Sequence, residues 1–117
     1  MEERPRGALP DYVVQNIVRR YQALGWSQKK LAEEIGVHHS TLSRILSRLR
    51  PTTTVLLAKA ADNLGCTLED LLRPPSGGTD ADFEEIMEEI RTHQEGFADA
   101  ADRLRRWAEG RRKPESR

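Results

Sequence analysis

The 117-residue sequence is poor in cysteine, in aromatic side chains and in net charge. Its one cysteine, Cys66, cannot form a disulfide within the chain, which excludes a disulfide-stapled scaffold. Aromatic residues make up 5% of the chain and charged residues 32%, a balance that favours a well-solvated helical protein over a β-sandwich or barrel. Lys plus Arg and Asp plus Glu number 19 each, so the formal net charge of zero indicates no partner by itself.

Long hydrophobic runs and catalytic motifs are also missing. No stretch approaches the ~20 apolar residues that cross a bilayer, since Lys59 interrupts even residues 55–61. The first residues lack the apolar core of a secretory signal. Neighbouring His38 and His39 point about 100° apart on a helix and have no further ligands nearby, and no phosphate loop or paired nucleophile is visible. We expect a cytoplasmic protein that is not an enzyme and needs no cofactor or metal.

The zero net charge conceals two halves of opposite sign. Residues 1–75 carry 11 basic and 8 acidic side chains, and residues 76–117 carry 8 and 11, so the halves are +3 and −3. Residues 11–50 alone hold 7 basic and 3 acidic side chains. This local excess of positive charge favours an anionic partner for the first half of the chain.

Apolar spacing predicts five short helices between residues 11 and 72. The first begins at Asp11 and ends at Gly25; the second runs from Gln28 to Ile35 between a Ser27 cap and Gly36. The third follows a tight turn and ends before Pro51. A fourth spans residues 55–64 and ends at Gly65, and a fifth, capped at Thr67, ends near Leu72.

Beyond a Pro/Gly-rich linker at 73–79, the pattern predicts one long amphipathic helix over residues 80–110, capped by Asp80. Its apolar residues repeat every seven positions, with His93 and Gly96 weakening the middle. Its first half is acidic and its second half basic, which favours antiparallel pairing of two chains in a homodimer. The alternative is that the stripe folds back on the helical domain. The expected dimerisation residues are Phe83, Ile86, Ile90, Phe97, Leu104 and Trp107. We expect residues 1–10 to be a flexible arm and residues 111–117 a flexible basic tail.

Residues 28–47, QKKLAEEIGVHHSTLSRILS, fit two helices that cross at a tight turn. Leu31, Ile35, Leu42 and Ile45 supply apolar contacts, Ala32 is small, Gly36 permits the turn and Val37 fills it. This arrangement is typical of a helix-turn-helix.

From residue 11 to about residue 72, the register W-S-Q-x-x-L-A-x-x-I-G-V-x-x-S-T-L-S-R-I, followed by A-x-N-L-G-C-T-L-E-D-L-L, resembles the Xre-like family of bacterial and phage regulators. That family includes Cro and lambda-type repressors. The sequence departs from the family in having Leu46 and Arg48 where an acidic residue and a glycine often follow the recognition helix.

The resemblance implies that the third helix enters the major groove of DNA and presents its N-terminal side chains to base edges. It assigns the helix cap to His38, and we expect Arg44 and His39 to carry most of the specificity, because a guanidinium can bind guanine O6 and N7 together. The expected base contacts are His39, Ser40, Thr41, Ser43 and Arg44. The expected phosphate contacts are Gln28, Lys29, Lys30, Arg19, Ser47, Arg48 and Arg50.

The resemblance and the residues together predict an all-α, sequence-specific double-stranded DNA-binding regulator. Its simplest form is a dimeric repressor in the bacterial cytosol or a phage-infected cell, associated with the nucleoid and reading an inverted-repeat operator. The alternative is an antitoxin or adaptor whose C-terminal helix binds a protein partner, such as an antirepressor.

Overall fold

The computed structural model of the chain describes residues 7–74, 81–92 and 97–112, with side chains in the last helix as far as residue 108. The described residues form helices and connecting turns without a β-strand, which confirms the all-α fold. None of these helices is long and apolar enough to cross a membrane. The helices are α1 (Asp11–Ala23), α2 (Gln28–Ile35), α3 (His39–Leu46), α4 (Thr54–Leu64), α5 (Leu68–Leu72), α6 (Ala81–Thr92) and α7 (Ala98–Arg112).

Local signals set the ends of the first five helices. The Thr53 side chain accepts a hydrogen bond from the backbone of α4, which begins one residue before the predicted start. At the start of α5, Thr67 and Asp70 form a reciprocal capping box. Gly65 adopts a left-handed φ of 76° where α4 ends. These three boundaries depend on one or two neighbouring residues. The third helix, which we expected to end just before Pro51, instead ends at Leu46, because Arg48 adopts a left-handed φ of 65°.

The inner faces of all seven helices contribute to one apolar core. The buried Asn16 of α1 donates from its amide to the carbonyl oxygens of Leu71 and Arg73, at 2.8 and 3.0 Å. The Tyr12 hydroxyl donates to the Leu72 carbonyl at 2.5 Å, and burial raises the pKa of this phenol. These bonds satisfy carbonyls at the end of α5, so α1 fixes where the five-helix unit ends.

The prediction of one long C-terminal helix is wrong, because the segment forms two helices that pack on each other as a hairpin. The rings of Phe83 in α6 and Trp107 in α7 lie 5.1 Å apart. In one continuous helix, a separation of 24 residues would place them about 36 Å apart. Phe97 is not helical, while His93 and Gly96, the expected weak points, lie outside the described residues.

The apolar stripe that we expected to join two chains is instead covered within one chain. Five of its six residues are buried and Trp107 is half-buried: Phe83, Ile86, Ile90, Phe97 and Leu104 are each at most 2% exposed. The antiparallel charge pairing also forms inside the chain, since Arg103 of α7 contacts Glu85 at 3.9 Å and also contacts Glu89. These side chains therefore hold the hairpin together, and those of the stripe also join the apolar core of α1–α5, in line with the alternative that the stripe folds back on the helical domain.

Residues 7–10, which we expected to belong to a flexible arm, are buried. Leu9 lies in the core, and the Gly7 carbonyl accepts a hydrogen bond from the Thr52 backbone N–H at 3.4 Å. The apolar character of Ala8 and Leu9 explains the difference, because packing in the core removes both side chains from water. At the other end, residues 111–112, which we assigned to the tail, continue α7. Residues 1–6, 113–117 and 75–80, with most of the linker and the Asp80 cap, lie outside the described residues.

Candidate nucleic-acid interface

Two helices and the turn between them form the core of the site. Ser27 caps α2 by accepting the Lys30 backbone N–H at 3.1 Å. Gly36 ends α2 with a left-handed φ of 79°, and the Val37 N–H then donates to the Ala32 carbonyl at 3.0 Å. Because Ala32 is small and buried, the chain can turn sharply there and α3 packs across α2.

The start of α3 is fixed by a histidine cap. Nδ1 of His38 accepts the backbone N–H of Ser40 at 3.2 Å, as the resemblance implied, and lies 2.9 Å from the Ser40 hydroxyl. The inner face of α3 is held by Leu42 and Ile45, both 4% exposed. The helix therefore has a defined beginning and rotation, which determine the side chains that it presents outward.

The outward face of α3 is polar and carries no carboxylate. All five expected base-contacting residues lie on this helix: His39, Ser40 and Arg44 are exposed, and Thr41 and Ser43 are half-buried at the flanks. The arginine at position 44 has no ion-pair partner in the described part of the chain. The helix thus offers hydroxyl groups, an imidazole and a free guanidinium along one face.

The expected phosphate-contacting residues surround this face but differ in their surroundings. Gln28 is half-buried at the first position of α2, while Lys29, Arg19, Ser47 and Arg50 are exposed. None of the three cations in this second group makes an ion pair with a described residue.

Lys30 and Arg48, in contrast, already have acidic partners. The Lys30 ammonium lies 3.0 Å from the Glu34 carboxylate and 5.7 Å from the centre of the Trp26 ring. The hydrogen bond and charge of Glu34 raise the pKa of this lysine. The Arg48 Nε lies 2.9 Å from a carboxylate oxygen of Asp11.

The sequence offered a signal for only one of these pairs. Lys30 and Glu34 are four positions apart on one helix, the spacing at which side chains meet. Asp11 is far from Arg48 in sequence, so only the folded chain brings them together. The apolar spacing placed Leu49 on the third helix, whereas in the structure it is 57% exposed in the loop after α3.

Among the described residues, the site brings together neither a metal-ligand cluster nor an activated thiol. No group of three or more metal-ligating side chains occurs among the residues that the structure describes. The half-buried thiol of Cys66 has a pKa raised by burial, which lowers its reactivity. The surface offers hydrogen-bonding groups and cations on a rigid helix. Such a surface suits recognition of an anionic partner that presents hydrogen-bonding edges.

Comparison with known proteins agrees with this geometry. A helix-turn-helix family model matches residues 17–71. No protein with curated function matches the sequence. A hypothetical transcription factor, NHTF, from Neisseria has a similar structure, with a TM-score of 0.55, 22% identity, and coverage of 80% of this chain and 95% of that chain.

A second similar structure is a chain of the SinR–SinI protein complex, with a TM-score of 0.50 and 23% identity. The match covers 86% of this chain and 94% of that one, so the similarity of both structures extends beyond the five-helix unit. Such low identities establish the fold only. The family match and the α2–α3 geometry show that residues 17–71 form a helix-turn-helix domain of the Xre-like, lambda-repressor type.

Proposed function

We propose that the protein is a sequence-specific double-stranded DNA-binding repressor that acts as a homodimer on an inverted-repeat operator. The observation that carries the proposal is the outward face of α3, which is polar, free of carboxylates and bears Arg44, an arginine that pairs with no described carboxylate. A DNA duplex presents base edges in a major groove wide enough for one helix, and such a face matches those edges. A repressor acts by covering its operator. We place this action at the nucleoid in the bacterial cytosol.

Base recognition is assigned to the first two turns of α3. Arg44 is the proposed reader of guanine, because its exposed guanidinium can donate to O6 and N7 together. His39 is the second proposed reader, while the Ser40 hydroxyl, already beside the His38 ring, has one partner within the chain. Thr41 and Ser43 would contact the groove only at its walls, since both are half-buried.

Phosphate contacts are assigned first to the cations without acidic partners. Lys29 is the second residue of α2 after the Ser27 cap, where the free backbone N–H groups also favour an anion. Arg19 and Arg50 are the other two exposed cations of this group. Lys30 would have to share its charge with Glu34, so its contribution to DNA affinity would be smaller.

The dimer is proposed from the symmetry of operators rather than from the C-terminal stripe. Two recognition helices related by a two-fold axis read half-sites about 34 Å apart, or ~10 base pairs centre to centre. The stripe is buried within its own chain, so the two copies would meet through a different, solvent-exposed surface.

The second candidate function is binding of a protein partner through the hairpin. The similarity to a chain of a protein–protein complex favours it, as do the exposed acidic side chains of α6, with Glu85 and Glu88 70% and 73% exposed. An adaptor or antitoxin of this kind would use α6 as its contact surface. DNA binding and partner binding are compatible in one chain, since they use different helices.

Selection of bound duplexes from a random DNA pool at near-physiological salt tests the proposal, because it reports specificity and symmetry together. Enrichment of an inverted repeat is the expected result. Enrichment of a single half-site would contradict the dimer while keeping the DNA reader. No enrichment, with a monomeric mass in solution, would favour the partner-binding function.

A further inference from the structure

The recognition helix ends differently from the helices around it. α1, α2 and α4 are each followed by a glycine with positive φ, at Gly25, Gly36 and Gly65. The corresponding position after α3 is Arg48, the one non-glycine residue with positive φ in the described part of the chain, at 65°. A side chain strains the backbone in this conformation, so a glycine would be the less strained choice.

The backbone around Arg48 is fully formed despite this strain. Its N–H donates to the Ile45 carbonyl at 3.0 Å, and the next N–H, of Leu49, donates to the Arg44 carbonyl at 2.9 Å. This pair of bonds is the Schellman ending of a helix. A left-handed residue at position 48 is therefore needed to end α3 in this way. What is unexpected is that this residue carries a side chain.

The side chain of Arg48, in the loop after α3, contacts both the start of α1 and the end of α3. Nε pairs with Asp11, the first residue of α1, at 2.9 Å, and Nη1 lies 3.4 Å from the carbonyl of Leu46 at the end of α3. A cation there also suits the negative end of the α3 dipole, and Asp11 suits the positive end of α1. Glycine at position 48 would keep the backbone turn and lose all of these side-chain interactions.

The residues just before α1 contact the loop after α3 at a second point. The Thr52 N–H donates to the Gly7 carbonyl, and a Cβ atom at Gly7 would lie 3.1 Å from the Pro51 side chain. Residues 7–11 thus contact the α3–α4 loop near both of its ends. The loop, with its exposed Leu49 and Arg50, is held against α1 rather than left to move with α3 alone.

We propose that Arg48 is a positioning residue for DNA recognition, which holds the C-terminal end of α3 against α1 through Asp11 and does not itself bind phosphate. The inference rests on the proposed function, since it concerns the same helix. It revises the expectation that Arg48 contacts phosphate. The strain at position 48 persists because the side chain fixes the tilt at which α3 presents Arg44.

Arg48→Gly is the central variant, and it removes the strain together with the side chain. We expect a melting temperature equal to or above that of the wild type. We also expect the ratio of specific to non-specific DNA affinity to fall about 2- to 30-fold, the range for residues that act on a site without touching its ligand. Asp11→Ala should lower the same ratio, and the double variant should fall no further than Arg48→Gly alone.

The salt dependence of DNA affinity separates positioning from phosphate binding. Loss of one phosphate contact reduces the slope of log affinity against log salt by about 0.9. We expect no reduction for Arg48→Gly and a reduction of that size for the neighbouring control, Arg50→Ala. Binding titrations on a selected duplex and on a scrambled one, at three or more salt concentrations, supply both quantities.

Each other outcome overturns a defined statement. A reduced salt slope for Arg48→Gly, with Asp11→Ala harmless, would make Arg48 a phosphate ligand. An unchanged affinity ratio in Arg48→Gly would leave the residue as a helix ending without influence on recognition. If the wild-type protein selects no sequence at all, the proposed function fails first, and the positioning role fails with it.

Discussion

Arg44 of the helix-turn-helix and Arg103 of the C-terminal hairpin have opposite surroundings. In α3, Arg44 stands exposed with no acidic partner among the described residues, on a helix that contains no carboxylate. In α7, Arg103 contacts Glu85 and Glu89 of α6, and Arg105 lies 2.9 Å from Asp102. A cation that pairs with carboxylates of another helix, as Arg103 does, holds the two helices together. Cations left unpaired on a rigid face are available to an external anion, and this contrast separates the two regions by role.

The two regions also differ in what determines their shape. Caps of one or two residues define the helices of the five-helix unit, for example Ser27 before α2. The hairpin depends on side chains 24 positions apart, such as Phe83 and Trp107. The predictions below test this contrast, beginning with the largest expected effect.

Phe83→Ala should destabilise the protein by about 3–5 kcal/mol, because the ring is fully buried and its loss leaves a cavity. Urea unfolding followed by circular dichroism measures the change. Leu49→Ala, at a site 57% exposed, is the control and should change stability by less than about 0.5 kcal/mol. A loss below about 1 kcal/mol for Phe83→Ala would mean that α6 does not pack in solution as it does here.

Arg44→Ala should relax the base preference at one position in each half-site by about 1–3 kcal/mol. Competition binding with duplexes that vary at single positions measures this effect. Arg106→Ala removes an equally exposed arginine from the hairpin and should leave the preference unchanged. An equal effect of both variants would abolish the distinction between a reading region and a structural one.

His38→Ala should destabilise the protein by about 1 kcal/mol, because the backbone N–H of Ser40 loses its acceptor. His38→Ser provides a different N-cap acceptor and should recover most of the loss. Thermal unfolding of the two variants measures the difference between them. If serine is no better than alanine, the imidazole contributes something other than the cap.

The smallest effect is a pH dependence from the capping box of α5. Hydrogen bonds with Thr67 lower the pKa of Asp70. The larger contribution comes from the Thr67 backbone and the smaller one from its side chain. A lowered pKa contributes stability above the ordinary aspartate value, about 3.9, and that contribution is lost as pH falls through the folded-state value. The melting temperature of Asp70→Asn should therefore fall less than that of the wild type between about pH 5 and pH 2. Parallel curves would contradict the role of the carboxylate.

The fold of the five-helix unit was predictable because its signals are local. The predicted bounds of α2 and α5 and the His38 cap agree with the structure. The hairpin was not predictable in the same way, since a seven-residue repeat buries one stripe whether the helix is continuous or folded in two. Likewise, the apolar pair Ala8–Leu9 was too short a signal to show that residues 7–10 enter the core.

Within the site, the residues on α3 were predictable from the register of the motif, whereas their partners elsewhere were not. The pairing of Arg48 with Asp11 depends on how α1 and the loop after α3 meet in three dimensions. Position 48 was visible as a departure from the family pattern. Its left-handed backbone and its acidic partner required coordinates.

Amide hydrogen exchange, measured with and without a selected DNA duplex, tests the central claim most directly. We expect protection on DNA binding to be concentrated in α3, the start of α2 and residues 47–50, while exchange in α6 and the first turns of α7 is unchanged. Protection confined to the hairpin, with α3 exchanging as in the free protein, would contradict it.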